Sequence, residues 1–184
     1  MGVVLVVLGL IVLVVVLGVV LYNGLVRLRN RIEGAWAQID VQLRRRYDLV
    51  PNLVETVKGY ASHERETFEA VTQARNMAIG ADGVQDQAKA ENMLSGTLKS
   101  LFAVSEAYPD LKANQNFLQL QEELTATEGR IAYARQYYND AVQRYNTRIQ
   151  TFPAVMVAGP AGFKEREYFE ADDTSRGPVS VSFE

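Results

Sequence analysis

Apolar and polar positions follow several distinct patterns along this chain, and each predicts a different kind of element. From Gly2 to Leu21, "GVVLVVLGLIVLVVVLGVVL", every position is aliphatic or glycine and none is charged. A helix rises 1.5 Å per residue, so this run is about 30 Å long, the hydrocarbon thickness of a bilayer. Residues 2–21 are therefore predicted as a transmembrane anchor. The rival element, a cleaved signal peptide, wants a basic n-region, a shorter apolar run and a small-residue cleavage site. Here Met1 enters the run directly, and Leu21-Tyr22-Asn23 lacks that cleavage pattern. No later stretch is long and apolar enough to span again, so a single-pass protein is expected.

Beyond the span the periodicity becomes helical. Leu25, Leu28, Ile32, Ala35, Ile39 and Leu43 recur at spacings of three and four, forming one stripe up to about Tyr47. The membrane helix is thus expected to continue as a stem without a linker. Asp48 as a cap, with Pro51 in a first turn, predicts a new helix there. Its stripe is Val50, Leu53, Val54, Val57, Tyr60, Phe68, Val71 and Ala78, ending at "GADG", residues 80–83. A third helix is predicted from about Val84 to Tyr108, with Leu94, Leu98, Leu101, Phe102 and Ser105 on one side, closed by "YPDLKAN". The fourth, from about Asn114 to Thr151, has the cleanest pattern. Phe117, Leu124, Ile131, Tyr138, Tyr145 and Phe152 recur every seven residues beside Leu120, Thr127, Ala134 and Ala141. Large residues alternating with small ones suit close packing of coiled-coil type.

Four helices with short connections imply an all-α fold, an antiparallel up-down four-helix bundle over residues 22–151 that continues from the transmembrane helix. The lengths leave a tension. The fourth helix would be about 57 Å long and the stem only about 39 Å. An overshooting helix, an early break and a bundle leaning on the membrane all remain open.

Residues 152–184 are predicted to be an apolar loop and an irregular tail. "FPAVMVAGPAGF" offers Phe152, Val155, Met156, Val157 and Phe163 with no charge among twelve residues, which is unusual for a solvated loop. Three fates are open: folding across the end of its own bundle, packing on a neighbouring subunit, or dipping into the lipid interface. The final alternation of Val179, Val181 and Phe183 reads equally as a short strand or a frayed end.

Charge refines this picture. The net charge is −3 over 184 residues, which gives no footprint for nucleic acid. Arg27, Arg29 and Arg31 follow the span, while its other flank carries no Lys or Arg, so the bundle is expected on the cytoplasmic side of the membrane. These arginines reach either anionic lipid or solvent. Arg44, Arg45 and Arg46 fall at the predicted top of the stem. The up-down order is expected to bring them to Glu106 and Asp110 as a charge cluster at the bundle tip. Glu64 lies on the seven-residue register of Val50, Val57, Val71 and Ala78, and Arg46 lies seven residues after Ile39. A charge on a seam must be paired or reach water, and Glu64 is expected to fix register.

Catalytic chemistry finds little support. The chain has no cysteine and one histidine, so neither thiolate chemistry nor a His-based zinc site is available. A di-metal carboxylate bundle needs two Glu-x-x-His motifs. His63-Glu64 begins like H-E-x-x-H, but position 67 is Thr. No phosphate-binding loop or G-x-S-x-G elbow occurs. No cofactor, metal or small-molecule substrate is expected.

"YNGLVRLRN", "AWAQIDVQLRRRYDLVPNLVETVKGYASHE", "VTQAR" and the late "YFE" together resemble the LemA family of bacterial membrane-anchored proteins. The resemblance covers nearly the whole chain, with mild departures such as Val50 where the family more often has isoleucine. It implies an N-terminal anchor followed by an antiparallel helical bundle. It implies no catalytic activity, since none is established for the family. One branch is associated with magnetosome membrane formation, and others are often encoded beside membrane proteins, including a zinc peptidase. The expected function is a non-catalytic scaffold that self-associates, as a homo-oligomer, or recruits a membrane-protein partner at the bilayer. The alternative is an accessory subunit presenting or regulating a neighbouring membrane enzyme such as a peptidase.

Overall fold

A computed structural model describes residues 1–170, and these are all-helical, without strands. Six helices follow in order: α1 (Gly2–Lys58), α2 (Arg65–Ile79), α3 (Val84–Glu106), α4 (Pro109–Lys112), α5 (Gln115–Gln150) and α6 (Val155–Ala158). The strand-or-frayed-end alternation at Val179, Val181 and Phe183 lies outside the described residues.

The N-terminal helix is long and apolar enough to cross a membrane, and none of its most apolar window is buried within the protein. It then runs on through Tyr22 and beyond without interruption, as the stripe required. Contrary to expectation, no helix begins at Asp48: Pro51 lies inside α1, which ends only at Lys58. Proline removes the N–H that would bond the carbonyl four residues back. That carbonyl belongs to Tyr47, and the Arg75 Nε–H on α2 bonds it instead at 2.7 Å. A long-range donor thus replaces the missing local one, and the helix continues. Gly59 follows the last helical residue, with the turn tightened by Tyr60 N–H to Val57 carbonyl at 3.0 Å and Ala61 N–H to the same oxygen at 2.9 Å. The longer α1 also removes the length tension. Residues 22–58 now rise about 55 Å and α5 about 54 Å.

The remaining boundaries follow local chemistry. Asn114 caps α5 by accepting the Phe117 N–H at 3.0 Å. Before α3, Gly83 takes φ 81°, a left-handed conformation that side chains resist. "YPDLKAN" carries one helical turn, α4, with Pro109 at its start.

The chain divides into two compact units. The first comprises Met1–Ile39 with Ala134–Glu167, and the second Asp40–Tyr133 with, among the described residues, 168–170. In the first, Leu25, Ile32, Ala35 and Ile39 of α1 are buried, as are Tyr138, Val142, Tyr145 and Ile149 of α5. In the second, the core is built from Leu43, Val50, Leu53 and Val57 of α1, Val71 and Ala78 of α2, Leu94, Leu98 and Leu101 of α3, and Phe117, Leu124 and Ile131 of α5. Phe152, the last of the seven-residue series, is exposed because α5 ends two residues earlier.

Candidate functional site: a buried ion cluster and a clasped tail

The second unit holds a charged cluster in its core. Arg46 is completely buried although it belongs to a run of three arginines. Its Nη2 faces the Glu91 carboxylate, and its Nη1 donates to Glu128 and, at 3.0 Å, to Ser95 Oγ. One guanidinium fork thereby ties α1 to α3 and α5. Glu91 is fully buried too. Its other oxygen accepts from the Tyr47 hydroxyl and from Gln87 Nε2, the latter at 2.7 Å. Gln87 Nε2 also lies 3.0 Å from the Ala78 carbonyl of α2. Two carboxylates share one cation, and every helix of 15 residues or more contributes an atom.

What this arrangement can do chemically is narrow. The Glu91 oxygens are occupied by Arg46, Tyr47 and Gln87, so neither is placed as a free base. A cleft of about 250 Å³ lies beside Ser95 and Glu128, lined otherwise by Leu98, Lys99, Phe102, Leu124 and Thr125. It falls below the roughly 300–1,000 Å³ typical of small-molecule sites. The geometry is that of a lock between helices.

The sequence-predicted tip cluster is not assembled. Arg44 pairs with Asp40 on its own helix at 3.0 Å, and Arg45 approaches Glu123 of α5 at 3.7 Å, both arginines being exposed. Glu106 pairs with Lys112. The misplacement has one cause. Because α1 passes through Pro51, the turn lies at Gly59–Glu64, and the arginines sit about three to four turns before it. The Tyr60 hydroxyl there receives the Asn114 Nδ2–H at 2.8 Å.

Glu64 is likewise corrected. It occupies the turn before α2, half-buried, with the Tyr108 hydroxyl 3.5 Å from its carboxylate. Val57 and Val71 are both buried, but they belong to different helices, so the register joining them through Glu64 was a coincidence of loop length. His63 is exposed.

In the first unit the backbone of residues 164–167, which runs without helix along α5, is held by neutral side chains. Asn146 donates Nδ2–H to the Arg166 carbonyl and accepts the Arg166 N–H, both at 2.9 Å. The Tyr145 hydroxyl donates to the Lys164 carbonyl at 2.9 Å, and the Tyr138 hydroxyl to the Glu167 carbonyl at 3.0 Å. Burial raises the pKa of both phenols, with nearby Arg166 opposing it. Trp36 packs edge-on against Tyr138, and Arg166 reaches Glu33 at 2.8 Å.

The membrane-proximal arginines are all exposed. Arg27 Nε donates to its own helix at the Asn23 carbonyl, and Arg29 lies 5.7 Å from the Phe163 ring centre. The apolar loop is split. Phe152, Val155 and Met156 are exposed, Ala154 and Ala158 are buried, and Val157 is half-buried. Phe163 packs edge-on against Tyr22 with centroids 5.5 Å apart.

Several partners in these sites, among them Glu91, Glu128 and Asn146, are not marked out as such by the sequence. Glu91 lies three residues before Leu94 and seven before Leu98, so the α3 stripe extended backward passes through it. The Asn146 clasp has no comparable signal.

The LemA family model matches residues 35–183. The protein LemA of Metamycoplasma hominis is 29% identical, covering 87% of this chain and 74% of the relative. Magnetosome protein MamQ 2 of Paramagnetospirillum magneticum is 26% identical, and magnetosome protein MamQ of Magnetospirillum gryphiswaldense 24%, each covering 86% of this chain and 68% of the relative. None of these names describes an enzyme. With a matching model over most of its length and an exposed apolar helix at its start, the chain is a membrane-associated helical protein and belongs to the LemA family.

Proposed function

We propose that this protein is a non-catalytic, single-pass scaffold that self-associates or recruits a membrane partner at the bacterial inner membrane. The observation that carries this is the exposed apolar surface of α1. Large residues from Val3 to Val20 are each about half or more exposed over a bilayer-length helix. Water does not tolerate such a surface, and lipid does. The polar interior supports the non-catalytic reading, since its carboxylates are engaged in tying helices together. Arg27, Arg29 and Arg31 beyond the span favour the cytoplasmic side for the remainder.

Extraction in mild detergent, followed by sizing and crosslinking, tests the scaffold. A homo-oligomer of the chain alone supports self-association, whereas a stoichiometric second membrane protein favours the accessory-subunit alternative. A strictly monomeric, partner-free protein would defeat both. Protease added outside intact spheroplasts is expected to leave the helical body uncut, and digestion from outside would reverse the orientation.

A further inference from the structure

The apolar turn after α5 has a place and an orientation that together identify what covers it. Within the first unit, α1 and α5 run antiparallel with a readable register. Trp36 meets Tyr138, and seven residues further along each helix, in opposite directions, Arg29 comes beside Tyr145. Another seven-residue step along α1 reaches Tyr22, the first residue after the apolar run, and α5 ends at Gln150 within the same step from Tyr145. The ring contact between Tyr22 and Phe163 fixes the far end of the turn at the same height.

The turn is also sided. Backbone bonds from Val155 N–H to the Thr151 carbonyl at 2.9 Å and from Phe163 N–H to the Ala158 carbonyl at 3.0 Å close it into a compact unit. Ala154 and Ala158 face inward, while Phe152 is 77% and Met156 67% exposed, with Val155 beside them. Cations flank it. Arg27 and Arg29 stand about 8 and 10 Å along α1 from Tyr22, comparable to the Debye length of about 8 Å at physiological salt, and Lys164 follows Phe163 directly. An apolar wedge at the end of a membrane-spanning helix, ringed by basic side chains, has the chemistry of an interfacial anchor.

We propose that Phe152, Val155 and Met156 form a second membrane contact, seated in the headgroup region of the bilayer that residues 2–21 enter. This rests on the anchored reading above. The turn would make the first unit a two-point attachment, fixing its tilt where a lone helix leaves it free.

The absence of cysteine allows single-thiol labelling of the full chain. An environment-sensitive fluorophore is placed at Met156→Cys, at Gly9→Cys, which has open space around it, or at exposed Tyr137→Cys, about 20 Å before the end of α5. Each protein is reconstituted into vesicles of zwitterionic and anionic phospholipid brominated either near the headgroup or near the chain end. The Met156 label should lose roughly twofold of its emission to headgroup-side bromine, since interfacial segments seat about 5–10 Å deep. The Gly9 label should respond to chain-end bromine and the Tyr137 label to neither. Adding Phe152→Ser and Val155→Ser should abolish the Met156 response while circular dichroism keeps its helical signal. A quenched Gly9 with an unquenched Met156 overturns the second contact and leaves the anchor standing, and a turn covered by a second copy gives this result. Equal quenching at Met156 and Tyr137 overturns it too, because the contact is then not confined to the turn. An unquenched Gly9 removes the anchor and the inference with it.

Discussion

The Arg46 cluster of the second unit and the Asn146 clasp of the first both join distant parts of the chain through buried polar atoms, by opposite means. Arg46 and Glu91 are both fully buried and charged, so each depends on the other to offset its desolvation. The clasp uses an amide and two phenols against backbone groups of residues 164–167, all neutral. The contrast teaches that total stabilisation and sensitivity to damage are different quantities. A buried ion pair can add little net stability and still be ruinous to halve. A neutral clasp loses only the bonds removed.

The largest expected effect follows directly. Arg46→Met should destabilise the second unit by about 3–5 kcal/mol, because Glu91 is left as an uncompensated buried charge. Urea or thermal denaturation of the detergent-solubilised protein, followed by circular dichroism, measures it. Combining Arg46→Met with Glu91→Leu should recover much of the loss, since apolar replacement of a whole buried pair is often near neutral. If the double variant is as unstable as the sum of the singles, the two groups are not the coupled pair described here.

The same contrast explains what was legible in the sequence. Phe117, Leu124, Ile131, Tyr138 and Tyr145 are all buried as their seven-residue spacing required, and α5 begins and ends within about one residue of its expected bounds. Burial of Arg46 was readable from its distance to Ile39. Its partners were not, because pairing across helices depends on where the turns fall. A local rule about proline puts the turn at Asp48, and its exception comes from Arg75, 28 positions from the Tyr47 carbonyl it bonds. The clasp was invisible for a different reason. Side chains that bond backbone leave no hydrophobic period on the segment they hold.

That exception supplies the next test. Arg75→Met should cost about 1–3 kcal/mol by leaving the Tyr47 carbonyl without its donor. In a Pro51→Ala background the helix recovers its own N–H at that carbonyl, so the same substitution should cost clearly less. Equal costs in both backgrounds would mean that Arg75 matters for some other contact.

The clasp should give a smaller and more local effect. Asn146→Ala removes two neutral bonds, each worth about 0.5–1.5 kcal/mol net. Hydrogen exchange at the Arg166 amide should quicken accordingly, while amides in the second unit keep their protection. The phenols add a pH dependence of defined sign. Burial raises Tyr138 and Tyr145 above the ordinary value of 10.0. Their contribution is therefore complete below about pH 10 and is lost as pH rises through the folded-state values. Tail protection that falls between pH 7 and 9 in the wild type would contradict this.

The smallest effect belongs to the neighbouring arginine and is the sharpest comparison of all. Arg45 and Arg46 are adjacent in sequence, and both face a glutamate of α5, Glu123 and Glu128 respectively. Arg45 keeps about half of its side-chain surface in water and stands 3.7 Å from its partner, whereas Arg46 keeps none. Water and salt screen the first pair, and two long side chains must be ordered to form it. A double-mutant cycle of Arg45→Ala with Glu123→Ala should thus report about 0.2–1 kcal/mol, shrinking as salt is added. The cycle of Arg46→Ala with Glu128→Ala should report a larger coupling that salt hardly changes. The cycle of Arg46→Ala with Asp110→Ala should be additive, because the tip that would have joined them does not exist. If Arg45 and Arg46 instead gave equal, salt-sensitive couplings, burial would not be what separates them.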